Sequence, residues 1–446
     1  MPSPQALPVD SASARIVTMG WHSALTAISL LGLATAAGAG MAFATQTLLA
    51  RELGPADYGL FASSLATVTM VAPLAGFGLS QFWLKAYGAE GWRADRWLPS
   101  SLRFIACTSV LTIAAIVLWA FIGAPADATR PTLLILLPVV LSVLAVDLVG
   151  SKLRLEERYG ALALWQLSIP GSRLGVAVLL LLVPGLTGRF AAMGYGVIAL
   201  AVTLLALPQV RRMLRGDLAL HGHGPRPGRG IEATPPTATA LWSQAWAYGL
   251  AAVLYPIFYQ VSTVLLKYLD GNAQAGRFGI ALAVMTAIYL IPATVYQKFL
   301  LSKLHRWAAH DRARFWLVYR QGNIAMLLAG LVVSGAMVAL VPWLVPLVFG
   351  EKYHAVVQIL LVLAICPPIR FLSTAVGSAL LTERHMRYRV YAMALATVVT
   401  VLCNVLLIPG HHELGAAAAT VLGEAMLLGS MYWGVRRFHR PSLEAA

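Results

Sequence analysis

Four ionisable side chains, Arg173, Arg370, Asp147 and Glu424, lie within long stretches that otherwise carry almost no charge. A guanidinium presents a planar fork of donors that matches phosphate or carboxylate oxygens, which makes Arg173 and Arg370 candidate anion-binding groups. Asp147 and Glu424 have two readings. Each is either a proton or cation site, or the counter-ion in a pair (Arg173 with Asp147, Arg370 with Glu424) that locks helices together. Both arginines closely follow proline, in Pro170-Gly171-Ser172-Arg173 and Pro367-Pro368-Ile369-Arg370. Proline removes a backbone donor, so a local break beside each arginine is expected. Tyr255 and Tyr259 are four residues apart, hence on one helix face, and their rings suit stacking on sugars. Trp242 and Trp246 read instead as an interfacial belt.

The elements that hold these residues must be membrane helices. Only 11% of the 446 residues are charged and 59% are hydrophobic, against about 25% charged in an ordinary soluble domain. A chain so poor in polar surface is covered by lipid, and about 20 apolar residues per helix cross the hydrocarbon with every backbone group paired. Twelve spans are expected, at 23–50, 60–84, 102–122, 132–150, 161–183, 190–209, 241–266, 278–301, 323–349, 355–381, 390–408 and 414–435. Placing the even-numbered gaps and both termini in the cytoplasm puts 25 of the 33 Lys and Arg residues there, as the positive-inside rule asks. Arg15 and the apolar run after it mimic a secretory signal, but the run is too long for one and reads as an uncleaved first helix.

The fold class is therefore an all-α polytopic membrane protein with six helices in each of two lobes around a central cavity. Residues 1–22 form a cytoplasmic tail, 23–209 the N-lobe, 210–240 a Gly/Pro/His/Arg-rich cytoplasmic linker, 241–435 the C-lobe and 436–446 a second cytoplasmic tail. A short internal repeat supports the two lobes. Arg51-Glu52-Leu53 with Gly59-Leu60-Phe61 matches Lys267-Tyr268-Leu269 with Gly276-Arg277-Phe278, and Val149-Gly150-Ser151 with Glu156 matches Val376-Gly377-Ser378 with Glu383. Each match falls six spans apart, so the repeat is parallel, with its pseudo-axis along the membrane normal.

Other chemistries find little support. The net charge of +15 is spread over short loops, which suits anionic lipid headgroups rather than nucleic acid. Cys107, Cys366 and Cys403 lie in apolar spans without metal-ligand spacing, and His221 and His223 stand in a Gly/Pro loop without acidic or thiol company, so no metal or other cofactor is expected. No G-x-x-x-x-G-K-S/T motif is present, and the loops are too short for a catalytic domain.

Three motifs in order carry a family resemblance. They are Arg51-Glu52-Leu53-Gly54-Pro55-Ala56-Asp57-Tyr58-Gly59-Leu60-Phe61 with Gly76-Phe77-Gly78-Leu79 and Lys85; Phe349-Gly350-Glu351-Lys352-Tyr353; and Asn404, Leu407-Ile408-Pro409, Leu414-Gly415-Ala416-Ala417-Ala418-Ala419-Thr420 and Glu424. The chain resembles the polysaccharide transporter family, the O-antigen and lipid-linked oligosaccharide flippases of the multidrug/oligosaccharidyl-lipid/polysaccharide exporter superfamily. The resemblance implies a non-enzymatic flippase of the bacterial cytoplasmic (inner) membrane that moves an undecaprenyl-diphosphate-linked oligosaccharide by alternating access. Its implied partners are that substrate, membrane lipids, a polysaccharide polymerase and glycosyltransferases. A drug or cation antiporter of the same superfamily is the alternative, and a membrane-embedded glycan polymerase or ligase is one of another class. The Gly54-Pro55 turn reads as structural. In the second lobe Asp270-Gly271-Asn272 replaces Leu-Gly-Pro, so the lobes are not expected to play equal roles.

Overall fold

The computed structural model describes residues 11–123, 128–183, 185–220, 236–294, 312–382 and 386–444. His221, His223, Glu383 and residues 221–235 of the expected linker lie outside them. Among the described residues the chain is helical throughout, with no strand. The first lobe contains α1 (Ser11–Val71), α2 (Pro73–Gly76), α3 (Leu79–Glu90), α4 (Trp97–Ile122), α5 (Thr129–Leu136), α6 (Pro138–Leu155), α7 (Tyr159–Leu182) and α8 (Gly188–Arg215). The second contains α9 (Ala238–Leu269), α10 (Asn272–Thr294), α11 (Arg312–Phe349), α12 (Val356–Leu363), α13 (Cys366–Thr382) and α14 (Met386–Glu444).

By length and apolar composition, eight runs of described residues qualify to cross a membrane, or nine if α12 and α13, bent by 41°, count as one. The run Ser29–Ile122 has 94 residues, which at 1.5 Å per residue would extend about 140 Å against a hydrocarbon thickness of about 30 Å. It must fold back. α1 leaves helical geometry at Gly54 (φ 73°, ψ 173°), just before Pro55, and α14 does so at His412 (φ 51°, ψ −132°). The twelve spans expected from sequence would require the long runs to be divided at such breaks.

The helix contacts repeat with a six-span shift. The first arm of α1 packs on α7, where Gly38 meets Leu167 and Pro170. In the second lobe, α9 packs on the first arm of α14, where Asn404 donates from Nδ2 to Ser262 Oγ at 3.0 Å. Likewise α6 packs on α8, and α13 on the second arm of α14, where Gly377 faces Met431.

The lobes meet on the pseudo-axis itself. A Cβ added to Gly59 would lie 3.0 Å from Gly276 N, and one added to Gly276 would lie 2.8 Å from Gly59 Cα. These two glycines are equivalent in the internal repeat. A self-complementary contact between equivalent residues is what a two-fold relation produces. Beyond the end of α1, at the break between α2 and α3, Gly78 abuts the Tyr248 backbone, Gly249 lies under the Phe77 ring, and Phe77 stacks on Trp242 at 5.1 Å. Trp242, expected in the belt, is thus part of a contact between the lobes.

Candidate functional site

The expected site residues occupy three places. The first is a cluster inside the second lobe, assembled from four helices. Arg370 of α13 donates from NH1 to Glu424 Oε1 of α14 at 3.2 Å and from NH2 to the Tyr255 hydroxyl of α9 at 3.1 Å. Its guanidinium also lies over the rings of Tyr255 and of Tyr289 on α10, 5.5 and 5.2 Å from their centroids. Tyr255 and Tyr259 stack with rings nearly parallel, and the Tyr259 hydroxyl is 2.8 Å from Thr286 Oγ1.

Local sequence explains how Arg370 arrives there. Pro367 and Pro368 prevent α12 from continuing straight into α13, and the two helices meet at the 41° bend. Gly330 of α11 fits against Pro368, where a Cβ would come within 2.4 Å of the proline Cα. Ser334 on the same face caps the Ala364 carbonyl at the break. Glu424 is 1% exposed, whereas Tyr255 is 46% exposed, so the arginine is approached through Tyr255.

Arg173 is the second place. It projects from α7 over the Tyr195 ring of α8, 4.4 Å from the centroid, and Tyr195 in turn makes an edge contact with Phe61. Among the described residues Arg173 has no salt bridge, and its Nε is buried without a hydrogen-bond partner. The pairing with Asp147 is therefore not formed. Nor is there a break beside it, because α7 runs unbroken through Pro170. Ser172 and Ser168 bond to the carbonyls of Ser168 and Trp165 around that point, and a single lost bond can be absorbed when neighbouring groups take up the exposed carbonyls.

Asp147 is the third. It lines a cavity of about 90 Å³ with Gly76, Gly78, Ser80, Gln81 and Ala252. The cavity exists because the chain breaks between α1 and α3, at Phe77 (φ 41°) and Gly78 (φ 64°). The span expected over 60–84 is thus interrupted, and the sequence features at the interruption are Pro73 and the Gly76-Phe77-Gly78 triplet. Asp147 has no hydrogen bond or salt bridge among the described residues.

Lys267, placed by sequence in an external loop, is 6% exposed and donates to Ser64 Oγ across the lobes at 2.8 Å. Only packing could have located it. The resemblance motifs prove to be joints. Tyr58 donates to Gln46 Oε1 at 2.6 Å, Tyr353 donates to the Ala50 carbonyl at 2.9 Å, and Gly415 sits against the Leu407 carbonyl.

A two-lobed, all-helical membrane body carrying such charged and aromatic clusters has the fold of the MOP-superfamily transporters. It is similar to the lipid II flippase MurJ in an inward closed conformation (TM-score 0.67, 13% identity, covering 91% of this chain and 87% of that one). It is also similar to an inward-facing multidrug resistance transporter of the MATE family (TM-score 0.70, 13% identity, 92% and 96% covered). A third is a MOP-superfamily transporter from Pyrococcus furiosus, described as having a binding pocket of reversed polarity (TM-score 0.59, 15% identity, 94% and 96% covered). No protein of curated function matches. The family model of polysaccharide biosynthesis proteins matches residues 24–300, more than half of the chain, and the chain belongs to that family.

Proposed function

We propose that this protein flips a lipid-linked oligosaccharide, an undecaprenyl-diphosphate-linked repeat unit of O-antigen, capsule or exopolysaccharide, across the bacterial cytoplasmic membrane. The observation that carries the reading is Arg173, a half-buried guanidinium seated on an aromatic ring with no carboxylate in contact among the described residues. An uncompensated arginine at that depth costs at least about 2.5 to 3.5 kcal/mol. A diphosphate passing through the space between the lobes supplies the missing charge. Arg370, with Tyr255 and Tyr259 beside it, gives the second lobe a cation and stacking surfaces for sugar rings. Substrate binding shifts the balance between inward and outward arrangements while the lipid tail stays in the bilayer.

Fluorescently tagged lipid-linked glycan in vesicles tests this. Protection of the tag from an external quencher should change with time only when the protein is present. No transfer, with transfer of a cationic drug instead, would favour the antiporter reading, for which Asp147 is the supporting observation.

The topology proposed with this function has twelve spans in two lobes, 23–209 and 241–435, and both termini in the cytoplasm. Reporter fusions should give an internal signal at Arg437 and an external one at Lys352. The reverse at either position defeats the arrangement.

Asp147 is proposed to couple transport to a proton or sodium gradient. It faces a cavity at the seam between the lobes and has no basic partner in contact among the described residues, whereas Glu424 is engaged by Arg370. Asp147→Asn should abolish the acceleration that a gradient gives, and Glu424→Gln should alter it less. Equal rates with and without a gradient, unchanged in Asp147→Asn, would remove the coupling and leave the flippase.

A further inference from the structure

The two arms of α14 enclose an open groove of about 810 Å³ on the outer face of the second lobe, away from the three places described above. Its walls are Tyr391, Leu395, Cys403, Leu422, Met426 and Trp433, and its lining is almost wholly apolar. Most lipid-facing helix surface is convex. Here small residues hollow it out: Ala392, Ala425 and Gly429 line the trough, and a Cβ added to Gly429 would meet nothing within 4 Å. From Tyr388 to Cys403 the groove runs about 22 Å at 1.5 Å per residue, most of a hydrocarbon layer about 30 Å thick.

One mouth of the groove is cationic. Arg437 lies over the Trp433 ring at 5.1 Å. Arg387 lies over Trp246 at 5.6 Å, and Trp246 touches Tyr391 at 6.3 Å. Arg387, Arg436 and Arg437 are all exposed, and none has a salt bridge among the described residues. An apolar trough that ends in exposed guanidiniums complements a lipid whose chain is long and whose head is anionic.

We infer that this groove seats the polyisoprenoid chain of the lipid-linked substrate, with its phosphates on Arg387 and Arg437. The inference rests on the flippase reading. It makes the outer face of the last two spans the docking rail for the lipid, while the sugar travels between the lobes.

The test uses the full chain in nanodiscs, irradiated with a polyprenyl diphosphate carrying a diazirine in its isoprenoid chain. A phosphatidylglycerol with a diazirine in its acyl chain is run in parallel. The polyprenyl probe should label residues 391–403 and 422–433, and unlabelled polyprenyl diphosphate, not phosphatidylglycerol, should compete. Gly429→Phe fills the trough and should cut the label about tenfold, whereas Gly429→Ala, which enters open space, should keep it. Arg437→Gln should weaken competition about fivefold, the expected worth of one basic residue facing an anionic head. If Gly429→Phe inserts poorly, Leu422→Trp closes the same trough from its wall.

Equal labelling by both lipids without competition would make the groove ordinary lipid-facing surface. The flippase reading would survive that result if the wild type still flips glycan in vesicles. If the polyprenyl probe neither labels nor competes and no glycan moves, both readings fall together.

Discussion

Arg173→Ala is expected to reduce glycan export about tenfold or more while leaving the amount of protein in the membrane near that of the wild type. The size follows from losing a charge-assisted bond to phosphate, worth about 1.5 to 3 kcal/mol. Abundance should hold because removing a cation that has no acidic partner in contact among the described residues strands no opposite charge there. Arg173→Lys keeps the charge and loses the fork, so it should export at an intermediate rate. Complementation of an export-deficient strain, with quantitative immunoblotting of membranes, gives both readouts. Export at the wild-type level in Arg173→Ala would end the claim that this residue binds the substrate.

Arg370 should behave differently, and the contrast is diagnostic. It is hydrogen-bonded to Glu424, which is 1% exposed. Arg370→Ala strands that carboxylate, a loss of about 3 to 5 kcal/mol for a buried pair deprived of one member. Both abundance and export should fall. The double variant Arg370→Ala with Glu424→Gln removes the stranded charge, so abundance should recover while export stays low. If export recovers as well, the pair is a structural lock and nothing more. Thermal stability of the purified variants in detergent separates folding from transport.

These two arginines also show what the sequence disclosed and what it hid. That both lie within apolar spans follows from composition, and so does the polytopic helical class. Which acid pairs with which base does not, because a pair on different helices depends on how the helices rotate against one another. Arg370 and Glu424 meet, whereas Arg173 and Asp147 do not. The proline rule worked for Pro367 and Pro368, where two prolines and the fit of Gly330 enforce the bend, and failed for Pro170, where one proline is absorbed by a continuous helix.

The break at Phe77 and Gly78 escaped notice for a related reason. Hydropathy sums side chains, and an apolar run scores alike whether its backbone is helical or left-handed. The internal repeat was legible as short matches only. Its meaning came from Gly59 and Gly276 touching, which one lobe read alone cannot show. In the repeat alignment, Gly150 corresponds to Gly377, which places Asp147 within about one turn of the position matching Arg370. Equivalent spans thus carry opposite charge.

The Gly59 and Gly276 crossing has a mechanical consequence. Helices normally interlock through side chains, and to slide or tilt them those side chains must leave their sockets. At this crossing backbone bears on backbone, with no knob on either partner to unseat. A tilt of one helix against the other there would need no change of rotamer. A methyl group at either position would act as a wedge, driven into the Asn272 carbonyl from one side or the Pro55 carbonyl from the other, so this closeness of the lobes depends on hydrogen being the whole side chain at Gly59 and Gly276.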